Sequence, residues 1–251
     1  MKTDKSKKSV ITLGVTEKET SCSLEENKHV LVIGEVGTGK TSTYVLPNIL
    51  EEKEKSLLVF DPRGTRYHFT QEEKQEQGYI VMDYRVLSLD EETIKHIAQM
   101  LVKEKTVVYL HFDHREGKEE REETFTSLLN TLYEEIEAQG FYHKGIHVLM
   151  DEAQAYKVPH LPLFLAAGRK YNVNFSLTVL HLSSLQHLYG EEATQQMIKY
   201  SVKGLFGTRS QEDAEYFASF IEGPFTKEEC NAHYLLSLPR EVPVWLLPSS
   251  H

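Results

Sequence analysis

Cysteine and positive charge are both scarce in this sequence of 251 residues. The two cysteines, Cys22 and Cys230, are too few for a disulfide scaffold or a four-cysteine zinc site, and we interpret them as free thiols in a reducing compartment. Lys and Arg number 28 against 38 Asp and Glu, which gives a net charge of −10. Because coating a DNA backbone requires many Lys and Arg, this balance excludes a general phosphate-coating DNA binder but leaves room for a local basic rim.

A membrane anchor and a secretory signal are not indicated either. The basic start MKTDKSKKSV is followed by no apolar run, which excludes a secretory signal. Residues 171–190 lack Asp, Glu, Lys and Arg, but they contain several Asn, Ser, Thr and Gln side chains, which are costly in hydrocarbon. We therefore expect a cytoplasmic protein with no direct membrane insertion, which would reach the inner face of a membrane through a partner.

The remaining composition is that of an ordinary globular chain. Hydrophobic residues make up 40% and charged residues 26%, which excludes a disordered chain, a collagen and a membrane bundle. The length suits one large domain, and no internal repeat or Gly/Ser linker divides it. We expect a polar N-terminal segment over residues 1–27 and a single domain over residues 28–251.

Apolar runs and helical spacing alternate along most of the chain. The predicted strands span residues 29–33, 56–60, 79–82, 106–112, 146–150, 171–180, 202–206 and 242–247, with an edge strand at best at 10–13. The strand at 171–180 is predicted from strict alternation of apolar residues with Asn, Ser and Thr. The predicted helices span residues 38–50, kinked or ended by Pro47, and 91–103, 119–139, 161–170, 191–199 and 211–220. This alternation predicts an α/β fold with a mainly parallel sheet and helices on both faces.

A phosphate-binding pattern follows the first strong apolar run. The pattern G-x-x-x-x-G-K-[ST] is matched by Gly34, Glu35, Val36, Gly37, Thr38, Gly39, Lys40 and Thr41, and Ser42 follows it. It lies between a predicted strand and a predicted helix, where backbone N–H groups and the helix N-terminus favour a phosphate. In such a P-loop, Lys40 would reach the β- and γ-phosphates of ATP and the Thr41 hydroxyl would ligate Mg²⁺.

An acidic pair follows the predicted strand at residues 146–150. Asp151 is the candidate to hold Mg²⁺ through water, and Glu152 is the candidate general base for the attacking water. The alternative is that both carboxylates merely cap the next helix. The adjacent glutamate favours an ATPase over a GTPase, and no Asn-Lys-x-Asp motif is present to recognise guanine.

Several ordered stretches resemble the type IV secretion coupling proteins, the TraG/TraD-type ATPases of conjugative DNA transfer. They are the P-loop with its continuation at residues 44–50, Asp-Pro-Arg-Gly at 61–64, the acidic strand end at 148–152, Gly-Arg-Lys at 168–170, and the segments at 182–190, 211–216 and 236–239. The resemblance covers roughly residues 29–248. It implies a RecA-like P-loop NTPase domain, a homo-oligomeric ring, movement of single-stranded DNA or a nucleoprotein substrate, and docking to a secretion or conjugation apparatus.

Arg169 is the candidate for an arginine supplied to a neighbouring subunit. It ends a predicted helix at the edge of the sheet opposite the phosphate site of its own chain, and in a ring it would face the neighbour's γ-phosphate. The resemblance points the same way. The alternative is a C-terminal arginine that only complements the helix dipole.

The sequence departs from the family at three points. Members usually carry an N-terminal transmembrane segment and an inserted all-helical domain, whereas this sequence shows no such segment and leaves room for one helix between Leu87 and Thr106. The family's γ-phosphate-sensing glutamine is replaced by Leu180, with His181 next. A minimal DNA-moving ATPase is therefore the first hypothesis. A nucleotide-binding regulatory or assembly subunit with weak hydrolysis and a free-standing DNA-processing or packaging ATPase are the alternatives.

Overall fold

Ten strands and nine helices are present in the part of the chain that the structure describes. The computed structural model describes residues 28–113, 115–219, 231–238, 241 and 243–246, together with the backbone of residues 11–15 and 21–24. The strands are β1 Ile11–Val15, β2 Ser21–Leu24, β3 His29–Gly34, β4 Ser56–Phe60, β5 Ile80–Arg85, β6 Thr106–His111, β7 Ile146–Met150, β8 Val173–Val179, β9 Ser201–Phe206 and β10 Val244–Leu246.

Eight of these strands form one sheet in the order β10-β9-β3-β8-β7-β4-β6-β5. All neighbours in it are parallel except β10, which runs antiparallel to β9. Strands β1 and β2 form a separate antiparallel pair. Because β8 and β7 lie between β3 and β4, the chain crosses two strands after β3, and such crossovers place a crevice at the carboxyl ends of the strands.

Helices cover both faces of the sheet. They are α1 Leu46–Glu51, which continues a π-helical turn at Lys40–Val45, and α2 Thr65–Glu76, α3 Glu91–Lys103, α4 Lys118–Ala138, α5 Leu161–Gly168, α6 Leu182–Tyr189, α7 Glu191–Tyr200, α8 Gln211–Ser219 and α9 Ala232–Leu236. Leu31 and Ile33 pack into the core beside α3, α4 and α5, whereas Val30 and Val32 pack beside Ile49 of α1. Successive residues of β3 are thus buried on opposite faces of the sheet, as expected for a parallel sheet with helices on both sides.

The predicted α/β fold with a mainly parallel sheet is confirmed. The predicted helix at residues 91–103 has the observed bounds, and the others agree to within a few residues where the structure describes them. Pro47 does not end the predicted helix at 38–50. The helix changes from π-helical to α-helical hydrogen bonding next to Pro47 and continues to Glu51. Helices α2, α6 and α9 and strand β2 were not predicted, and parts of the predicted elements at 211–220 and 242–247 lie outside the described residues.

Strand β8 differs from a half-exposed alternating strand because both of its faces are buried. Its polar side chains make hydrogen bonds inside the protein: Asn174 Oδ1 accepts a hydrogen bond from Lys55 Nζ at 3.1 Å, and the Ser176 hydroxyl contacts Tyr44 Oη at 2.6 Å and His147 Nε2 at 2.7 Å. The alternation therefore marks a strand that carries a line of buried polar groups through the centre of the sheet.

His29, the first residue of β3, is a neutral buried histidine. Its Nε2 lies 2.8 Å from the Leu165 carbonyl oxygen, and its Nδ1 accepts from the Phe175 backbone N–H at 3.0 Å. These two partners require a proton on Nε2 alone. Burial lowers the pKa of His29 to about 4, and the hydrogen bond to Leu165 opposes this shift.

The free energy of unfolding is expected to fall as the pH drops below the ordinary histidine pKa of 6.5. The unfolded chain then binds a proton at position 29 that the folded protein does not bind. For a folded pKa of about 4, this costs roughly 1.5–2 kcal/mol between pH 6.5 and pH 5. Urea titrations across this range measure the slope.

The variant His29→Gln is the matched control for this pH dependence. It is expected to be less stable than the wild type at pH 7.5 and to lose less stability on acidification, since it has no proton to take up. Equal pH slopes for the two proteins would contradict the assignment of a neutral His29.

In the portion of the chain with described coordinates, no helix is both long and apolar enough to cross a membrane.

Candidate functional site

The candidate site is a cleft of about 510 Å³ at the carboxyl ends of β3, β4, β7 and β8. The residues lining it come from the phosphate-binding pattern, from the turn after β4 with the start of α2, and from the ends of β7 and β8. They are Val36, Gly37, Thr38, Gly39, Lys40, Thr41, Ser42, Leu46, Arg63, Thr65, Arg66, Phe69, Asp151, Glu152, Gln154, Leu180 and Glu241. The cleft thus unites the predicted loop with the predicted acidic pair.

The loop between β3 and the following helix needs glycine at two kinds of position. A side chain at Gly34 would begin 2.1 Å from the Phe206 carbonyl oxygen, so only glycine fits between the strands there. Gly39 has a φ of 94°, which is left-handed and favours glycine. The Glu35 carbonyl oxygen accepts from Thr38 Oγ1 at 2.8 Å, which closes the turn.

The outer side of this loop is exposed or tied to neighbouring segments. Val36 is 84% exposed at its tip. The Glu35 carboxylate accepts from the Arg209 backbone N–H at 2.6 Å, and Ser42 Oγ lies 3.4 Å from a carboxylate oxygen of Glu241. The loop is therefore held by the segments after β9 and before β10, neither of which was expected from the sequence to lie at the site.

Lys40 points back into its own loop. Its Nζ donates to the carbonyl oxygens of Gly34 and of Glu35, the latter at 2.9 Å. Burial lowers the pKa of Lys40, and the nearby carboxylates, Asp151 first among them, oppose this shift. A phosphate in the loop would offer this ammonium stronger, charged acceptors than the two carbonyl groups.

Asp151 joins the loop to the centre of the sheet. Thr41 Oγ1 lies 3.3 Å from Asp151 Oδ2, and Thr178 Oγ1 of β8 donates to Asp151 Oδ1. Thr178 Oγ1 also accepts from the Glu152 backbone N–H at 3.0 Å. The predicted pair Thr41 and Asp151 is thus brought together, and Thr178, which the sequence did not single out, orients the acidic pair.

Glu152 has a left-handed backbone with φ 52°, which is costly for a residue other than glycine and is often found at functional sites. Its carboxylate is partly exposed in the cleft and pairs with Arg63 at 2.9 Å. Its side chain makes no capping hydrogen bond to the short 3₁₀ turn Ala153–Ala155 that follows. The geometry therefore lends no support to the helix-cap alternative for Glu152.

Arg66, in the first turn of α2, is a site residue that sequence reasoning missed. Its guanidinium contacts Asp151 Oδ2 and lies 3.7 Å from Asp61 Oδ1, and only 7% of its side chain is exposed. Burial by itself would lower the pKa of Arg66, but the charge of Asp151 raises it. Burial raises the pKa of Asp61, which Arg66 opposes. No sequence signal marked Arg66, because α2 itself lacks an apolar periodicity.

His181 is directed away from the cleft. Leu180 lines the cleft, whereas His181 Nδ1 lies 3.1 Å from Asp213 Oδ2 of α8. Asp213 also accepts from the Leu182 backbone N–H at 3.1 Å. His181 therefore helps to hold α8 beside α6 rather than lining the cleft.

Arg169 lies apart from the other predicted site residues. It follows α5 directly and is exposed, four residues before β8 begins at Val173. Strand β8 runs from this edge to the cleft, and seven residues at about 3.3 Å each make that span roughly 20 Å. Arg169 is thus at the edge opposite the cleft of its own chain, as predicted.

Within the residues that have described coordinates, no group of three or more His, Cys, Asp and Glu could hold a metal ion. Any divalent cation in the cleft would depend on the Thr41 hydroxyl, the Asp151 carboxylate and oxygens of a ligand. Such an all-oxygen set suits Mg²⁺. The oxygens of Thr41 and Asp151 are suitably close for this, but Arg66 contacts both of them.

Fold and site together define a P-loop NTPase fold: a mostly parallel sheet, a glycine-rich turn before a helix, and an acidic strand end beside it. Two family models match the sequence in order. The model described as "Type IV secretory system Conjugative DNA transfer" matches residues 2–94, and that described as "TraM recognition site of TraD and TraG" matches residues 145–229. The chain belongs to the type IV coupling protein family.

Solved structures agree with this fold at low sequence identity. The unbound bacterial conjugative coupling protein TrwBdeltaN70 is 10% identical, with 95% of this chain and 85% of that chain covered and a TM-score of 0.59. VirB4 of Thermoanaerobacter pseudethanolicus is 10% identical over 99% and 98% of the two chains, with a TM-score of 0.59. Plasmid coupling protein TrwB in complex with ADP and Mg²⁺ is 12% identical over 90% and 84%, also with a TM-score of 0.59. No curated protein sequence matches the chain.

Proposed function

We propose that this chain is an ATP-binding and ATP-hydrolysing motor that moves DNA during conjugative transfer or secretion. The observation that carries the proposal is the meeting of Lys40, Thr41, Asp151 and Glu152 in one cleft, with Thr41 Oγ1 3.3 Å from Asp151. These are the cation, hydroxyl and carboxylates that phosphoryl transfer to water requires.

Each side chain has a distinct task in this proposal. Lys40 turns from its own carbonyl groups to the β- and γ-phosphates, and Mg²⁺ would be held by Thr41 and, through water, by Asp151. Bound Mg²⁺ supplies charge stabilisation to the phosphate oxygens. Glu152 accepts the proton of the attacking water, and Arg63, 2.9 Å from it, fixes the position of its carboxylate.

The proposed partners follow from the family. Two of the similar structures are TrwB in complex with an ATP analogue and with ADP and Mg²⁺, which supports ATP and Mg²⁺ as the cofactors here. The family descriptions name conjugative DNA transfer and a TraM recognition site, which supports single-stranded DNA or a nucleoprotein as the substrate and the conjugation apparatus as the docking partner. The proposal includes a homo-oligomeric ring at the inner face of the membrane, with residues 28–251 as the motor domain.

The position of His181 favours a second candidate function. In this family a glutamine near this position senses the γ-phosphate, whereas here Leu180 lines the cleft and His181 is bonded to Asp213. A chain that binds ATP but has no γ-phosphate-sensing side chain at this position would hydrolyse ATP slowly. The second candidate is therefore a nucleotide-binding regulatory or assembly subunit.

Turnover of ATP with and without single-stranded DNA distinguishes the two candidates. A motor is expected to hydrolyse ATP faster when DNA is present, and a regulatory subunit is expected to bind ATP with little turnover in both conditions. A lack of stimulation by DNA, with tight ATP binding, would favour the second candidate.

The variant Lys40→Ala is expected to abolish tight ATP binding and to leave the fold intact. The variant loses the charged contact to the phosphates, while among the described residues the Lys40 side chain donates hydrogen bonds only to its own loop. Calorimetry measures the affinity and circular dichroism the fold. The exposed Lys199→Ala is the matched control, and unchanged ATP affinity in Lys40→Ala would refute the P-loop assignment.

A further inference from the structure

Arg66 lies where a divalent cation held by Thr41 and Asp151 would be. Its Nη2 contacts Asp151 Oδ2 and lies 3.5 Å from Thr41 Oγ1, which is itself 3.3 Å from the same carboxylate oxygen. A guanidinium and a divalent cation repel each other at such distances. Arg66 in this place and a metal ion held by these two groups therefore exclude one another.

The start of α2 holds Arg66 in this position. Asp61 Oδ2 accepts from the Arg66 backbone N–H at 2.7 Å and from the Tyr67 backbone N–H at 3.3 Å, so one side chain caps the helix. The backbone of Arg66 is therefore fixed, and its guanidinium reaches Asp151 from a rigid base.

The guanidinium is not fully satisfied in this position. Its Nε is buried and has no hydrogen-bond partner among the residues with described coordinates. Arg66 also lines the cleft next to Lys40, so a phosphate there would be an acceptor within the same cavity. A buried donor without an acceptor favours a ligand that supplies one.

We propose that Arg66 is an internal cation that replaces Mg²⁺ between Thr41 and Asp151 when no metal is bound. It neutralises Asp151 in the empty cleft and lets nucleotide bind without a metal. When Mg²⁺ is present, the ion must displace the guanidinium from both oxygens, so Mg²⁺ adds little to nucleotide affinity. This inference rests on the proposed nucleotide binding.

The test compares nucleotide affinity in excess Mg²⁺ and in EDTA. Fluorescent N-methylanthraniloyl-ADP is titrated into the wild type and into Arg66→Gln. For each protein, the affinity in Mg²⁺ is divided by the affinity in EDTA to give a ratio. The wild-type ratio is expected to stay below about tenfold, because the metal must break hydrogen bonds between charged groups. The ratio of Arg66→Gln is expected to be at least about tenfold larger, since Asp151 then repels metal-free nucleotide and receives the metal freely.

A matched control and a second criterion make the outcome decisive. Arg85→Gln removes an arginine that is paired with Glu116 at 2.8 Å on the protein surface, and its ratio is expected to equal that of the wild type. Equal ratios in the wild type and Arg66→Gln would overturn the inference alone. If Arg66→Gln does not fold, a wild-type ratio below about tenfold supports the inference and a larger one overturns it. No nucleotide binding by the wild type in either buffer would overturn the proposed function as well.

Discussion

Arg169→Ala is expected to lower ATP turnover about 10³–10⁵-fold while leaving ATP affinity unchanged. The reason is distance: Arg169 is at the far edge of the sheet from its own cleft, at the exposed end of α5. It therefore takes no part in binding ATP within its own chain. In a ring it would stabilise the charge that develops on a neighbour's γ-phosphate.

Protein concentration gives an independent measurement of the same effect. Turnover per subunit is expected to rise from nanomolar to micromolar protein as rings assemble. Lys170→Ala is the matched control, because Lys170 is the adjacent exposed cation at the end of the same helix and would serve the helix dipole equally. Turnover that is flat with concentration, together with an active Arg169→Ala, would return Arg169 to the role of a helix-dipole partner.

Glu152→Gln is expected to bind ATP normally and to hydrolyse it about 10²–10⁴-fold more slowly. The amide cannot take a proton from water, but its oxygen can still accept from Arg63, so the shape of the cleft is kept. Asp151 remains to hold the metal. Single-turnover hydrolysis and calorimetric affinity separate the chemical step from binding.

The exposed Glu192→Gln, in the first turn of α7, is the control for this change of charge. It is expected to turn over ATP like the wild type. Wild-type turnover in Glu152→Gln would mean that the general base is another group, and the left-handed backbone at position 152 would then need a structural explanation.

The strands could be predicted because apolar runs reflect burial directly. His29–Gly34 and Ser56–Phe60 are buried throughout, and a strand covered on both faces leaves an unbroken apolar run in the sequence. Strand β8 was predicted from alternation instead. Alternation by itself is typical of a half-buried strand, and a sequence does not reveal that the partners of a buried polar group lie on distant segments.

The glycine-rich loop and the acidic pair could also be predicted. A glycine-rich pattern between a strand and a helix is a local signal, and the carboxyl ends of parallel strands meet at one edge. The structure brings Lys40, Thr41, Asp151 and Glu152 into one cleft, as expected.

Arg66, Thr178 and Glu241 could not be predicted, since their places in the cleft depend on tertiary contacts. Helix α2 is almost wholly polar and therefore gave no periodic signal around Arg66. Thr178 was noted only as one residue of an alternating run. Glu241 reaches the loop from a turn about 200 residues later, where its backbone N–H donates to the Thr38 carbonyl oxygen at 3.0 Å.

The polar line along β8 has a consequence for how the sheet assembles. Asn174, Ser176 and Thr178 contact Lys55, Tyr44 and Asp151, which lie on three different segments, so a shift of β8 between its neighbours would leave all three without these partners. A buried polar group without a partner costs about 1–3 kcal/mol, so a misaligned sheet is less stable by several kcal/mol. Apolar strands slide past one another at a smaller cost. Thr178 also orients Asp151. The hydrogen bonds that fix the alignment of β8 therefore also form the cleft.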